Sequence, residues 1–472
     1  MHCRIRINWH LDPSWQEWLA DLEVVHEVDG TTLLIGKLPD QAALYGVLLT
    51  IRRLGLSLLE LSTSEASAHE EPGEPGFRFT EKEKNHMSIE PFTIAIPQST
   101  LDDLQLRLAR TCWPDEAQGA GWSYGTNLGY LKELLDYWQH TYDWRKEEQT
   151  LNQFAHFRAD IDGQGIHFLH ERGKGPHPTP LLLVHGSPDS FYRFHKFIPM
   201  LTDPASYGGN PADSFDVIIP SLPGFGFSDR PSVVGGMKSL RAAELLAKLM
   251  QDVLGYRRYA AHGGDVGSRV VRLLALAHPE QLLGIHLTDI GFPQEIAFPP
   301  DVPNPTPAEG RFLGSVGMWF FQEGAYAALQ TTKPQTISYS LNDSPVGLAG
   351  WIGEKFRAWS DCEGEIEKSY TKDELLTNIM IYWVTETISS SARLYHEDGL
   401  QSRPQLSVGQ YIEVPAGVAT FPKDLTYPPR ELGERFLRVA RWTEMPRGGH
   451  FAALEEPELL AEDVRAFFRP LR

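Results

Sequence analysis

The heptapeptide HGGDVGS, residues 262–268, lies between the apolar run RRYAA and the helix-like RVVRLLALAHP. A strand that turns into a helix over so few residues needs small neighbours on both sides of the bend, because a β-carbon there meets the backbone of the other arm. The spacing Gly263-x-Asp265-x-Gly267 supplies them and leaves Asp265 at the apex. This is the pattern of a nucleophile elbow, which sits where a strand of an α/β sheet hands over to a helix. A strand followed by GGD also makes an ordinary tight turn, so the rest of the chain has to decide between the two.

The rest of the chain reads as a sheet protein with helices between its strands. Short runs rich in Val, Ile, Leu and Phe (FAHFRADI, IHFLHER, PLLLVHG, FDVIIPSLPG, RYAAHGG, LLGIHLTD) come one after another, the later ones separated by helical patterns such as LRAAELLAKLMQDVLG. Strands alternating with helices predict a mostly parallel α/β sheet. Over residues 295–405 strand signals give way to helical, aromatic-rich text, then IEVPAGVATFP and LRVARWTEMP resume the sheet and a helix closes the chain. We therefore expect an α/β core over 151–294 and 406–472, interrupted by an α-helical lid over 295–405. Residues 87–150 read as amphipathic helices ahead of the sheet. Residues 1–61 alternate in the order βαββαβ, a small ferredoxin-like α+β module, and the polar, Gly- and Pro-containing stretch 62–86 reads as a linker.

Three places could serve a reactive Asp265. HGSPDS (185–190) directly follows an apolar strand, where the N–H of Ser187 can face a developing oxyanion together with the N–H of Val266, the residue after the apex. His185 reads as a histidine that shapes its own loop. MPRGGHFAALEEPE places His450 on a loop after a strand and ahead of a helix, where it can activate water. Taken alone it would be an ordinary surface or capping histidine, but the order nucleophile, acid, histidine is that of the α/β-hydrolase arrangement. The acid is then Asp424, in VPAGVATFPKD, or Asp289, after GIHLT; Asp424 is the first choice.

Composition narrows the partners. The formal net charge of −19 disfavours nucleic acid and anionic membrane surfaces, since the field repels phosphate. Cys3, Cys112 and Cys362 form neither a disulfide framework nor a metal pattern, the N-terminus carries no leader signature, and the longest apolar window is broken by Arg52 and Arg53. A cytoplasmic protein without a membrane anchor is expected. With no phosphate loop, dinucleotide fingerprint or paired histidine ligands, neither cofactor nor metal is expected.

Several further stretches bear a resemblance. IEPFTIAIPQSTLDDLQLRL, GWSYGTNLGYLKELLDYW, HGSPDS, GFGFSDRP, GGDVGS, TKPQTISYSLNDSPVGLAGWIGEKF, DELLTNIMIYW, FPKDL and RGGHFAALEEPELLAEDVRAFF occur in that order. From about Ile89 to its end the chain resembles the microsomal-type epoxide hydrolases, including juvenile-hormone and bacterial members. The resemblance implies an α/β-hydrolase fold, Asp265 as nucleophile, Asp424 as acid, His450 as base, and Tyr326 and Tyr395 as lid tyrosines. It departs at Val266 and Ser187, where the family usually carries Trp. Residues 1–86 lie outside it, and they read as a ligand-binding module or as a dimerisation surface, the second of which would give a homo-oligomer, rather than as chemistry.

Aspartate at the apex has a chemical reason. A carboxylate opens an epoxide to an ester that water can cleave, whereas a serine would leave an ether that water and a histidine cannot. The expected function is hydrolysis of a small apolar epoxide, with Trp351, Trp383 and Phe292 as candidate walls for it. A haloalkane dehalogenase uses the same ester but needs ring N–H donors for halide, which Val266 lacks. A non-catalytic receptor on the same fold is the reading from another class.

Overall fold

The computed structural model describes residues 2–7, 22–26, 31–38, 44, 47, 51, 58–64, 89–292, 305–399, 406 and 410–472. The chain divides into two units, Met1–Lys84 and Asn85–Arg472, so the border falls two residues ahead of the expected start at Met87.

In the first unit β1 (His2–Ile7), β2 (Glu23–His26), β3 (Thr32–Lys37) and β4 (Leu58–Ser64) form one sheet in the order β2-β3-β1-β4, every pair antiparallel. Cys3, Ile5 and Ile7 alternate inward along β1 while Arg4 faces solvent, the period of two that a half-buried strand requires. Leu44, Val47 and Ile51 are helical, buried and spaced to share one face. The first helix of the βαββαβ reading falls outside the described residues, as does nearly all of the 62–86 stretch read as a linker.

The described residues of the second unit form nine strands: β5 (Ile89–Pro91), β6 (His156–Ile161), β7 (Gln164–Glu171), β8 (Thr179–Val184), β9 (Phe215–Pro220), β10 (Tyr259–Gly263), β11 (Leu282–Leu287), β12 (Ile412–Thr420) and β13 (Leu437–Glu444). Their order is β13-β12-β11-β10-β8-β9-β7-β6-β5. The run from β13 to β9 is parallel, and β7, β6 and β5 complete the sheet antiparallel. The central parallel strands are covered on both faces: β9 is buried at every residue and β10 likewise, as expected of strands packed between layers of helices. Pro91 is tolerated because β5 is an edge strand.

Helix Val266–Ala277 packs on β8, β10, β11 and β12, and the closing helix Pro457–Phe468 packs on β11, β12 and β13. Between β11 and β12 the described chain is helical: Pro307–Glu323, Ala325–Thr332, Pro334–Asp343, Pro345–Ala358, Lys372–Thr385 and Ile388–Gly399. Local signals set several of their starts. Thr306 with Glu309, and Thr371 with Glu374, make reciprocal capping boxes, each ahead of an apolar run. Where it is described, the insertion expected between residues 295 and 405 consists of helices joined by turns.

Candidate active site

Asp265 stands between the end of β10 and the first turn of Val266–Ala277 with φ 58° and ψ −128°. A left-handed aspartate costs about 1–3 kcal/mol, held only where neighbours over-determine it. The neighbours do so by closeness. A β-carbon on Gly267 would lie 2.1 Å from the carbonyl oxygen of Val184, one on Gly263 would lie 2.4 Å from the backbone of Gly267, and one on Gly186 would lie 2.6 Å from Asp265 itself. These are the small residues that the bend requires.

The strain is braced from β11. The carboxylate of Asp289 accepts the backbone N–H of Asp265 at 2.6 Å, the hydroxyl of Ser268 at 2.6 Å and the N–H of Gly291 at 2.9 Å. Burial, with the charge of Asp424 added, pushes the Asp289 carboxyl up to about 6. Asp289, the second choice as acid, therefore holds the elbow instead of a histidine.

His450 lies 3% exposed on the loop after β13. Its Nδ1 is 2.6 Å from Oδ1 of Asp424, and its Nε2 is 3.5 Å from Oδ2 of Asp265. Nε2 is buried without a hydrogen-bond partner, since 3.5 Å is beyond a well-formed N–H···O bond. The other oxygen of Asp265, Oδ1, accepts the N–H of Ser187 at 2.8 Å, and the N–H of Val266 also faces the carboxylate.

The charges follow from this geometry. Burial opposes the imidazolium, but Asp424 and Asp265 together outweigh it and raise His450 well above its ordinary value. Burial would likewise raise Asp265; His450 and the two backbone N–H groups outweigh it and hold the carboxyl below its usual range. Both shifts favour the charged pair, imidazolium and carboxylate.

Tyr326 and Tyr395 come from helices Ala325–Thr332 and Ile388–Gly399 and meet edge to face, ring centroids 5.9 Å apart. With Asp265, Val266, Phe292 and His450 they line one cavity of about 40 Å³, room for about three waters. Burial raises both phenols above their ordinary values, with the Tyr326–Tyr395 proximity adding at Tyr326 and Asp265 adding at Tyr395. Trp351 and Trp383 do not line this cavity. Trp351 faces a separate cleft against the segment between β5 and β6, beside Trp113 and Leu131, and Trp383 carries the Arg107 guanidinium over its ring at 5.8 Å. The face each helix turns inward decided this, and aromatic content alone did not reveal it.

One feature escaped the sequence reading. Asp189 and Arg193 form a buried ion pair, Nη1 to Oδ2 2.6 Å. Asp189 also accepts the N–H of Gly186, and Arg193 donates to the carbonyl of His450 at 3.1 Å. The pair thus ties the Ser187 loop to the His450 loop. The only signal was an acid and a base four residues apart in HGSPDSFYRF. His185, fully buried, accepts the N–H of Leu222 at Nε2 and shapes its own loop.

Comparison with known proteins decides the family. The profile described as epoxide hydrolase N terminus matches residues 89–194, and that described as alpha/beta hydrolase fold matches residues 179–349. A protein of Stigmatella aurantiaca is 46% identical over 81% of this chain and 86% of its own. Epoxide hydrolase 1 of Sus scrofa is 37% identical over 80% of this chain and 88% of its own. The chain belongs to the epoxide hydrolase family. The solved epoxide hydrolase of Aspergillus niger superposes on this enzyme with a TM-score of 0.71 at 30% identity, covering 82% of this chain and 97% of that one. The enzyme is thus a hydrolase with the α/β-hydrolase fold. Residues 2–62 match a profile described only as a domain of unknown function. Among the described residues no helix is long and apolar enough to cross a membrane.

Proposed function

We propose that the enzyme converts a small apolar epoxide to a vicinal diol through an ester on Asp265. The observation that carries this reading is the division of labour between the two oxygens of Asp265: Oδ1 is held by backbone N–H at 2.8 Å while Oδ2 faces His450. The free edge at Oδ2 attacks an epoxide carbon. The carbon–oxygen bond of the ring breaks, and the departing oxygen takes a proton from Tyr326 or Tyr395, which burial keeps protonated.

Esterification removes the negative charge of Asp265. The imidazolium of His450 then loses one of the two carboxylates that raise it, passes its proton by way of water to the tyrosinate left by ring opening, and becomes a base. Nε2 takes a proton from water, hydroxide adds to the ester carbonyl, and the oxyanion forms at Oδ1, which already accepts the N–H of Ser187, with the N–H of Val266 facing the same carboxylate. Collapse releases the diol and restores the carboxylate. Asp424 keeps the ring oriented and balances its charge. Phe292, tilted against Trp319 and Phe320 with ring centroids 5.3 and 5.1 Å away, supplies an apolar wall.

The test is the origin of the new oxygen. With excess enzyme in isotopically labelled water, one turnover should yield unlabelled diol and leave label in the peptide containing Asp265. A fully labelled first-turnover diol would demote Asp265 to a general base.

A further inference from the structure

The loop that carries His450 is fastened to the helical insertion. The N–H of His450 donates to the carbonyl of Trp359 at 2.8 Å, and the N–H of Gly448 donates to Oδ2 of Asp361 at 2.9 Å. Both acceptors belong to the turn that follows helix Pro345–Ala358. A β-carbon on Gly449 would lie 2.5 Å from the Trp359 carbonyl oxygen, so loop and turn are in contact along their backbones.

Glu455 closes the clamp from beneath. Its carboxylate accepts the N–H of Phe451 at Oε1, 2.9 Å, and the N–H of Asp361 at Oε2, 2.8 Å. One oxygen thus holds the residue after His450 and the other holds the insertion. The Trp359 ring meets the His450 ring edge to face at 5.3 Å and the Tyr326 ring at 5.2 Å. Nothing in the ester chemistry uses Glu455 or Asp361 directly, yet every backbone donor from residue 448 to 451 for which a partner has been named ends on them or on Trp359.

We propose that Glu455 and Asp361 are positioning residues that hold His450 at working distance from the Asp265 ester, so that the insertion sets the rate of ester hydrolysis as well as covering the cavity. This rests on the ester reading above. A buried base whose loop drifts by about 1 Å loses roughly 100-fold in rate, and the loss falls on the step that needs the base.

The experiment is single-turnover mixing of the full-length protein with styrene oxide, following covalent ester by intact mass and diol by chromatography. Glu455→Ala should leave ring opening within about twofold while slowing ester hydrolysis roughly 100-fold, so that ester accumulates. Glu455→Gln, which keeps one acceptor oxygen, should fall between. Asp361→Ala should behave like Glu455→Ala, and Asp361→Asn, whose amide oxygen still accepts, should restore hydrolysis. The two conservative changes keep side-chain size, so the comparison stands should the alanine variants not fold. Equal loss in both steps, or none, overturns the positioning role. No ester on the unaltered protein, despite turnover, overturns the ester reading itself.

Discussion

Nδ1 of His450 lies 2.6 Å from Oδ1 of Asp424, and both side chains are 3% exposed. A buried imidazole held on that side presents only Nε2 to the cavity, so its chemistry runs through one atom. His450→Gln should allow attack by Asp265 and block water activation, leaving a stable adduct of protein plus one substrate at Asp265. Intact mass followed by peptide mapping checks this, and a confirmed substrate that leaves no adduct would count against two steps.

The edge-to-face contact of Tyr326 and Tyr395 puts two phenols in one cavity with Asp265. Tyr326→Phe and Tyr395→Phe should each slow ring opening by about 10²–10⁴-fold, the range for losing a positioned acid. The double change should be worse still, while hydrolysis of ester already formed stays close to normal. Rapid-quench measurement of the two steps distinguishes this from lid packing, which would lower both.

The two half-reactions should differ in pH dependence. Asp265 is held below its ordinary value and both tyrosines above theirs, so ring opening should be level from about pH 5 to about pH 9. Hydrolysis needs neutral His450 and should rise with pH. Its midpoint should lie below that of His450 in the free enzyme, because the ester no longer carries the Asp265 charge. Ester should therefore accumulate on the acid side; ring opening that falls as pH rises would contradict the assignment.

Gly267→Ala puts a β-carbon 2.1 Å from the Val184 carbonyl oxygen, where only backbone could yield. It should destabilise the protein by about 1–3 kcal/mol or more and suppress adduct formation. Gly310→Ala, in helix Pro307–Glu323 with nothing within 4 Å of the added carbon, should stabilise by about 0.5–1 kcal/mol. Thermal melts of both variants make the comparison.

Residues Met1–Lys84 have an apolar cluster of their own, including Cys3, Ile5, Ile7 and Leu34, apart from that of Asn85–Arg472. A chain beginning at Asn85 should fold and hydrolyse epoxide at close to the full-length rate. An insoluble or inactive truncation would make the first unit an integral part of the enzyme.

What the sequence determined by itself is local. Hydrophobic period, caps and glycines decide whether a stretch is strand, helix or bend, because they act over a few residues. β6 to β13 and the helical insertion were legible in this way, and so was the bend at Asp265, where a β-carbon on Gly263 would meet the backbone of Gly267 four residues on. Tertiary structure decided what meets. Asp289 and Asp424 each follow a strand ahead of His450, and one-dimensional order cannot separate them. The sheet does: β12 lies between β11 and β13, and a parallel bridge between Lys423 and Gly449 sets Asp424 beside His450, while Asp289 turns to the elbow. The same holds for the bond from Arg193 to the His450 carbonyl, for that from the Asp361 N–H to Glu455, and for Trp351 and Trp383, whose helices point them away from the cavity. Such contacts join residues far apart in the chain, so their formation depends on the packing of whole elements, which no local pattern records.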